Sequence, residues 1–245
     1  MSVSRLLTVA VCATLVSSTV SDCVTYGYCG TDDMSGKRLP CAIRRGPAAM
    51  GSELLENACP ALLSTKGYPA LACCDPEQAY TIKSQLRKLI YLGVRSDSEC
   101  FLNFQNVVCQ AVCSPYQSHF VAVFANRTDG QCPKPSATAI VYAIETSFAE
   151  QVYNACKDVR TRIFRRRLLS YMCGSYRASE CSAQRFLDFV GAVHSEGGHS
   201  PFKIYYVLTE VPISVNGQSL TPFKPDRNWI GQKANAGAYT QQLPT

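Results

Sequence analysis

Apolar residues recur every fourth position at Ile140, Ile144, Phe148, Val152 and Cys156, and this stripe predicts one long amphipathic helix over that stretch. Ala79, Ile82, Leu86, Leu89 and Ile90 keep helical spacing after Asp75-Pro76-Glu77-Gln78. That tetrad holds a capping residue, a proline at the first helical position and an acidic residue in the first turn, the signals of a helix start. A third helix is expected from Glu99 to Cys113, with Phe101, Phe104, Val108 and Val112 on its apolar side and Ser114-Pro115 ending it. Phe186, Leu187, Phe189 and Val190 mark a short helix after Cys181-Ser182. Phe202, Ile204, Tyr206 and Leu208 alternate with Lys203, Tyr205 and Val207, the two-residue period of a strand. Asn216-Gly217, between Ile213-Ser214-Val215 and Gln218-Ser219-Leu220, signals a hairpin. Residues 23–75 carry no long helical period and read as a loop-rich segment held by bridges rather than by a local core. The pattern is that of an α+β fold, with helices packed around a small sheet.

The ends differ in character. Residues 1–21 place Arg5 before an apolar run from Leu6 to Val16 and a small, polar stretch up to Ser21, the layout of a secretory signal peptide. The run is shorter than the roughly 20 residues a membrane-spanning helix needs. Residues 221–245 form a polar tail or linker without a period, which leaves 22–220 as the folded domain.

An export signal changes the reading of the 14 cysteines, because 13 of them follow it and reach an oxidising compartment. Cys73 and Cys74 are adjacent, so they are expected to bridge two different parts of the chain. Cys109 and Cys113 fall on one face of the third helix and could clamp it to that segment. A zinc site is the competing use of these thiols, but no His pair matches Cys109 and Cys113, so no metal is expected. Asn126-Arg127-Thr128 is a glycosylation sequon, expected in an exposed loop between two helical patterns.

Charge and chemistry narrow the function classes. The net charge is +6, the excess is spread along the sequence, and no dense basic stripe points to nucleic acid. Arg160, Arg162, Arg165, Arg166 and Arg167 cluster around Ile163 and Phe164, as a solvated helix end or loop or as a contact for anionic lipid or a partner. There is no nucleophile elbow, no His-Glu-x-x-His and no glycine-rich phosphate loop. His194 and His199 flank a glycine loop at a spacing poor for a metal, and Asp32-Asp33 are neighbours in sequence only. The chain reads as a protein that is not an enzyme and has no cofactor.

A series of residues adds a family. Cys23-Val24-Thr25-Tyr26-Gly27-Tyr28-Cys29-Gly30, Cys41, Cys73-Cys74-Asp75, Cys109-Gln110-Ala111-Val112-Cys113-Ser114-Pro115, Tyr153-Asn154-Ala155-Cys156, Cys173-Gly174, Cys181 and Pro201-Phe202-Lys203-Ile204 occur in that order. Together they resemble the N-terminal lumenal domain of the Niemann-Pick type C membrane proteins over residues 22–220. The resemblance implies a disulfide-rich α+β domain with helices packed around a small mixed or antiparallel sheet and a ligand pocket. It implies the pairs Cys23–Cys73, Cys29–Cys41, Cys59–Cys109, Cys74–Cys113, Cys100–Cys156 and Cys173–Cys181, and leaves Cys132 single. It also implies non-covalent binding of cholesterol or a related sterol and hand-over from a small soluble carrier. The setting would be the late endosomal or lysosomal lumen, or the extracellular space if the chain is freestanding. Membrane attachment would come only through a C-terminal transmembrane region missing from this sequence.

In that family the sterol hydroxyl is held by an asparagine and a glutamine. Gln78 matches the glutamine, whereas Pro40 stands at the asparagine and offers no side-chain donor and no backbone N–H. Gln78 has a second role open to it, completing a capping box with Asp75. The resemblance places Thr81, Ile82, Val108, Tyr142, Met172, Pro201, Phe202 and Ile204 around the sterol, with Val108 replacing a phenylalanine and widening the site. Thr25 and Tyr28 replace a tryptophan and a glutamate nearby. The competing class is a disulfide-stapled interaction module that has lost its sterol.

Overall fold

The computed structural model describes residues 22–63, 70–128, 133–162 and 165–225. The expected signal segment, Cys132, Ile163, Phe164 and the tail from 226 onward lie outside the described residues.

β1 (Cys23–Thr31) and β2 (Arg38–Arg45) form an antiparallel hairpin, and β3 (Ala48–Met50) pairs with β4 (Ala70–Ala72) on either side of α1 (Ser52–Ala58) in sequence. Then come α2 (Pro76–Tyr91), α3 (Glu99–Cys113), β5 (Val121–Arg127), β6 (Ser136–Ile144), α4 (Thr146–Cys156), α5 (Ala183–Val190) and β7 (Lys203–Leu208). The hairpin of β8 (Ile213–Val215) and β9 (Gln218–Leu220) closes the described part, with Asn216 and Gly217 at φ of 49° and 79° as its turn requires. The main sheet is mixed: β1, β2, β6 and β5 lie in that order and antiparallel, and β7 runs parallel to β6.

The two faces of that sheet carry different cores. Ile140, Tyr142 and Ile144 on β6, with Ile204, Tyr206 and Leu208 on β7, face the main core. Val141 and Ala143, with Val207 and Ala122, face a smaller cluster capped by Leu220, Ile213 and Val215 of the hairpin. In the main core Phe104 of α3 meets Phe186 of α5 with ring centroids 6.0 Å apart. Six disulfides join the pairs Cys23–Cys73, Cys29–Cys41, Cys59–Cys109, Cys74–Cys113, Cys100–Cys156 and Cys173–Cys181, the pairs that the resemblance implies. Cys73 and Cys74 do bridge two different segments.

Three sequence expectations are corrected. The stripe from Ile140 to Cys156 is not one helix, because Ser136–Ile144 is strand β6 and only Thr146–Cys156 is helix. A four-residue stride is also twice a strand's period, and the β-branched and aromatic residues Thr138, Ile140, Val141 and Tyr142 favour the strand. Residues 23–75 are not held by bridges alone, since Val24, Leu39, Met50 and Leu55 from β1 to α1 are buried in the main core. Asn126 is exposed, but on strand β5 opposite Ala137 rather than in a loop between helices. Helix α3 has the expected bounds, yet it is buried on almost every side, with Val107 and Ala111 deeper than Val108 and Val112.

Candidate functional site

The start of α2 is the best organised polar feature among the predicted site residues. Asp75 is the N-cap: its Oδ1 accepts the Gln78 N–H at 2.8 Å, and the Gln78 Oε1 accepts the Asp75 N–H at 3.0 Å, closing a capping box. The same Oε1 accepts the Gly27 N–H of β1 at 2.8 Å. Gly27 has a φ of +69°, and a Cβ there would stand 3.3 Å from Asp75 Oδ2. A glycine therefore lets β1, which slips register between Thr25 and Tyr28, settle on the helix start. Gln78 is 2% exposed. Its acceptor is committed twice, while its Nε2 donates to no partner among the described residues. The side chain thus both builds the local structure and presents an amide donor that is left free.

Pro40 lies opposite Tyr28 in the β1–β2 ladder, at a register shift, so the missing N–H disturbs little of the pairing. The Arg38 guanidinium sits 4.4 Å from the centre of the Tyr28 ring and pairs with Glu77 of α2. Burial raises the Tyr28 phenol above its ordinary pKa; the Thr81 side chain opposes this, and the Asp75 and Glu77 carboxylates add to it. Thr81 Oγ1 donates to the Glu77 carbonyl at 2.9 Å, so its hydroxyl is shared between its own helix and the Tyr28 phenol. Gln78, Tyr28, Pro40 and Thr81 therefore share one end of the molecule. The Lys37 ammonium of the β1–β2 turn donates to the His199 carbonyl, which brings the segment before Pro201 to the same side.

The apolar residues are distributed more widely. Ile82, Tyr142, Phe202 and Ile204 are buried in the main core, Val108 and Met172 are half-buried against it, and Pro201 is half-buried. Tyr142 is wholly buried with ring contacts to Phe120, Tyr206 and Phe223, and its hydroxyl has no hydrogen-bond partner among the described residues. Burial pushes its pKa well above the ordinary value. Thr25 turns away from this end: its Oγ1 accepts from Gln117 Nε2 at 2.8 Å.

Two open clefts lie elsewhere. One, of about 520 Å³, runs between α1, α2 and α3 and is bounded by Lys83, Leu86, Arg87, Ile90, Phe101 and Gln105 among others. The other, of about 590 Å³, includes Leu62, Gln110, Tyr116, Phe120, Pro222 and Phe223. None of the nine predicted contact residues lines either cleft.

The sequence reading missed the buried polar residues. Gln117 is a hub: its Oε1 accepts the Val24 and Thr25 N–H groups, and its Nε2 donates to Thr25 and to the carbonyls of Ala111 and Val112. Asn103, Asn106 and Gln110 are buried on α3, and neither amide atom of Asn103 has a partner among the described residues. Their three-and-four spacing was the available signal, overlooked beside the apolar stripe.

The sequence profile of the family described as Niemann-Pick C1 N terminus matches residues 20–234. The chain belongs to that family. Over 215 residues it is 31% identical to the pig NPC intracellular cholesterol transporter 1, covering 84% of this chain and 16% of the relative. It is 33% identical over 169 residues to the human NPC1-like intracellular cholesterol transporter 1, covering 69% and 12%. With NPC intracellular cholesterol transporter 1 homolog 1 of Caenorhabditis elegans it shares 29% identity over 199 residues, covering 76% and 13%. The chain thus spans less than a fifth of the length of these relatives. Among the described residues of this Niemann-Pick C1 N-terminal domain no helix is long and apolar enough to cross a membrane.

Proposed function

We propose that this domain binds cholesterol or a related sterol without covalent chemistry, takes it from a small soluble carrier and passes it on within the lumenal leg of intracellular sterol transport. The carrying observation is Gln78, a buried amide whose oxygen is fixed by two backbone N–H groups and whose nitrogen is left as a donor. A sterol hydroxyl accepts from that nitrogen. Ile82, Val108, Met172, Phe202 and Ile204, in or against one apolar cluster, supply the surface for the hydrocarbon, with Thr81 and Pro201 at its edge. The relatives' names as cholesterol transporters support the same reading.

Magnitudes favour binding despite Pro40. Burying roughly 400–600 Å² of sterol hydrocarbon is worth ~10–15 kcal/mol, against association costs of about 4–15 kcal/mol. One missing hydroxyl contact costs ~0.5–1.5 kcal/mol, so affinity survives and selectivity for the hydroxyl end relaxes.

Gln78→Glu separates the two roles of this side chain. A carboxylate still accepts the Gly27 and Asp75 N–H groups but removes the donor; buried beside Asp75 it also lowers the unfolding midpoint, and in the protein that stays folded cholesterol affinity should fall about tenfold. Unchanged affinity in the folded variant contradicts the assignment of Gln78. Absent binding by the folded wild type contradicts the whole reading and leaves a stapled interaction module.

A further inference from the structure

The arginine cluster that the sequence shows at 160–167 meets a second basic stretch at one corner of the molecule. Residues 87–99 and 157–167 hold nine Lys and Arg against three Asp and Glu, which equals the chain's entire excess of six. The first stretch is the last turn of α2 and the loop into α3; the second follows α4 and folds back on itself, with Thr161 N–H donating to the Arg166 carbonyl at 2.8 Å and Leu168 N–H to Val159 at 2.7 Å. The two are in contact: Arg162 N–H donates to the Leu92 carbonyl at 2.9 Å, and a Cβ on Gly93 would lie 2.7 Å from the Arg162 Cβ. Cys100–Cys156 staples the bases of both.

This corner also carries apolar side chains in the open. Tyr91 is 69% exposed, Ile90 39% and Leu92 36%. Arg162 stands against Leu92 and Gly93; Arg160, Arg162, Arg165, Arg166 and Arg167 have no carboxylate partner among the described residues, and Asp97 is held by Arg95 at 2.6 Å. Exposed apolar and phenolic side chains beside guanidinium groups that lack a carboxylate partner match the two layers of an anionic bilayer surface, headgroup phosphates outside and acyl chains beneath. An acidic protein would match the charge but give no reason for Tyr91 and Leu92 to be exposed beside it.

We propose that this corner docks the domain on anionic phospholipid membranes, a second binding function independent of the sterol reading. The test is sedimentation of the oxidised secreted chain with sterol-free vesicles of phosphatidylcholine alone or mixed with phosphatidylglycerol. Binding is expected to the mixed vesicles only, weakening as salt rises. Replacing Arg162, Arg165, Arg166 and Arg167 together by Gln should weaken it roughly a hundredfold, and Tyr91→Ser should weaken it severalfold while leaving the salt dependence. Far-UV circular dichroism and the thermal midpoint, measured on the same variants, report that they remain folded. Absent binding, equal binding to neutral vesicles, or undiminished binding by the four-arginine variant overturns the proposal. Undiminished binding by Tyr91→Ser with Leu92→Ser overturns the apolar part of it.

Discussion

At the scale of single residues, Gln78 and Tyr142 show how a buried polar atom discloses its role through its partners. The Gln78 oxygen is satisfied twice, so Gln78→Ala strips acceptors from the Gly27 and Asp75 N–H groups and should cost about 1–3 kcal/mol in denaturant unfolding. The Tyr142 hydroxyl is buried without a partner, and Tyr142→Phe should stabilise the protein, raising its thermal midpoint by about 2–4 °C per kcal/mol recovered. Burial also holds the phenols of Tyr142 and Tyr206 above the ordinary value of 10.0. The contribution of these neutral phenols is fully present below that value. At higher pH the unfolded chain releases protons that the fold retains, so stability falls as pH rises. Tyr142→Phe should flatten that alkaline decline, and an unchanged slope would refute the assignment. The spacing of Gln78 from Asp75 made the cap legible, and the family resemblance is what proposes it as a ligand contact, but the Gly27 bond was hidden because it spans 51 positions.

At the scale of elements, sequence periodicity served helices with caps and failed where strands are irregular. The start of α2 and the end of α3 were readable because Asp75-Pro76 and Ser114-Pro115 punctuate them. β6 was absorbed into α4 because Ile140 and Ile144 continue the stride of Phe148 and Val152, although they sit on the pleat of a strand. β1 escaped notice since its register shifts break the alternation. The junction of α5 and β7 depends on a close approach that no period reveals. A Cβ on Gly191 would lie 2.2 Å from the Ile204 carbonyl oxygen. Gly191→Ala must therefore push β7, with Phe202 and Ile204, away from the helix end. It should lower the unfolding midpoint and sterol affinity together, whereas Gly46→Ala, with nothing within 4 Å, should change neither.

At the scale of the whole molecule, six disulfides and a core on each face of the main sheet fix a frame in which a polar end and a basic corner are separate features. The Cys100–Cys156 bridge closes a separation of 56 residues, and replacing both cysteines by serine should cost about 4 kcal/mol. That loss is readable as a lower denaturant midpoint. Family membership and the disulfide framework were legible from cysteine order alone. The arginine cluster after α4 was legible too, but its meeting with the α2–α3 loop was not, because that contact exists only in space.

The central claim is that the domain holds a sterol with Gln78 at its hydroxyl. Equilibrium binding of labelled cholesterol to the oxidised chain, competed by unlabelled cholesterol and by cholestane, which lacks the hydroxyl, tests it most directly. The account predicts saturable binding, with cholestane about tenfold weaker than cholesterol. A folded protein that binds no cholesterol, or that binds cholestane equally well, would contradict it.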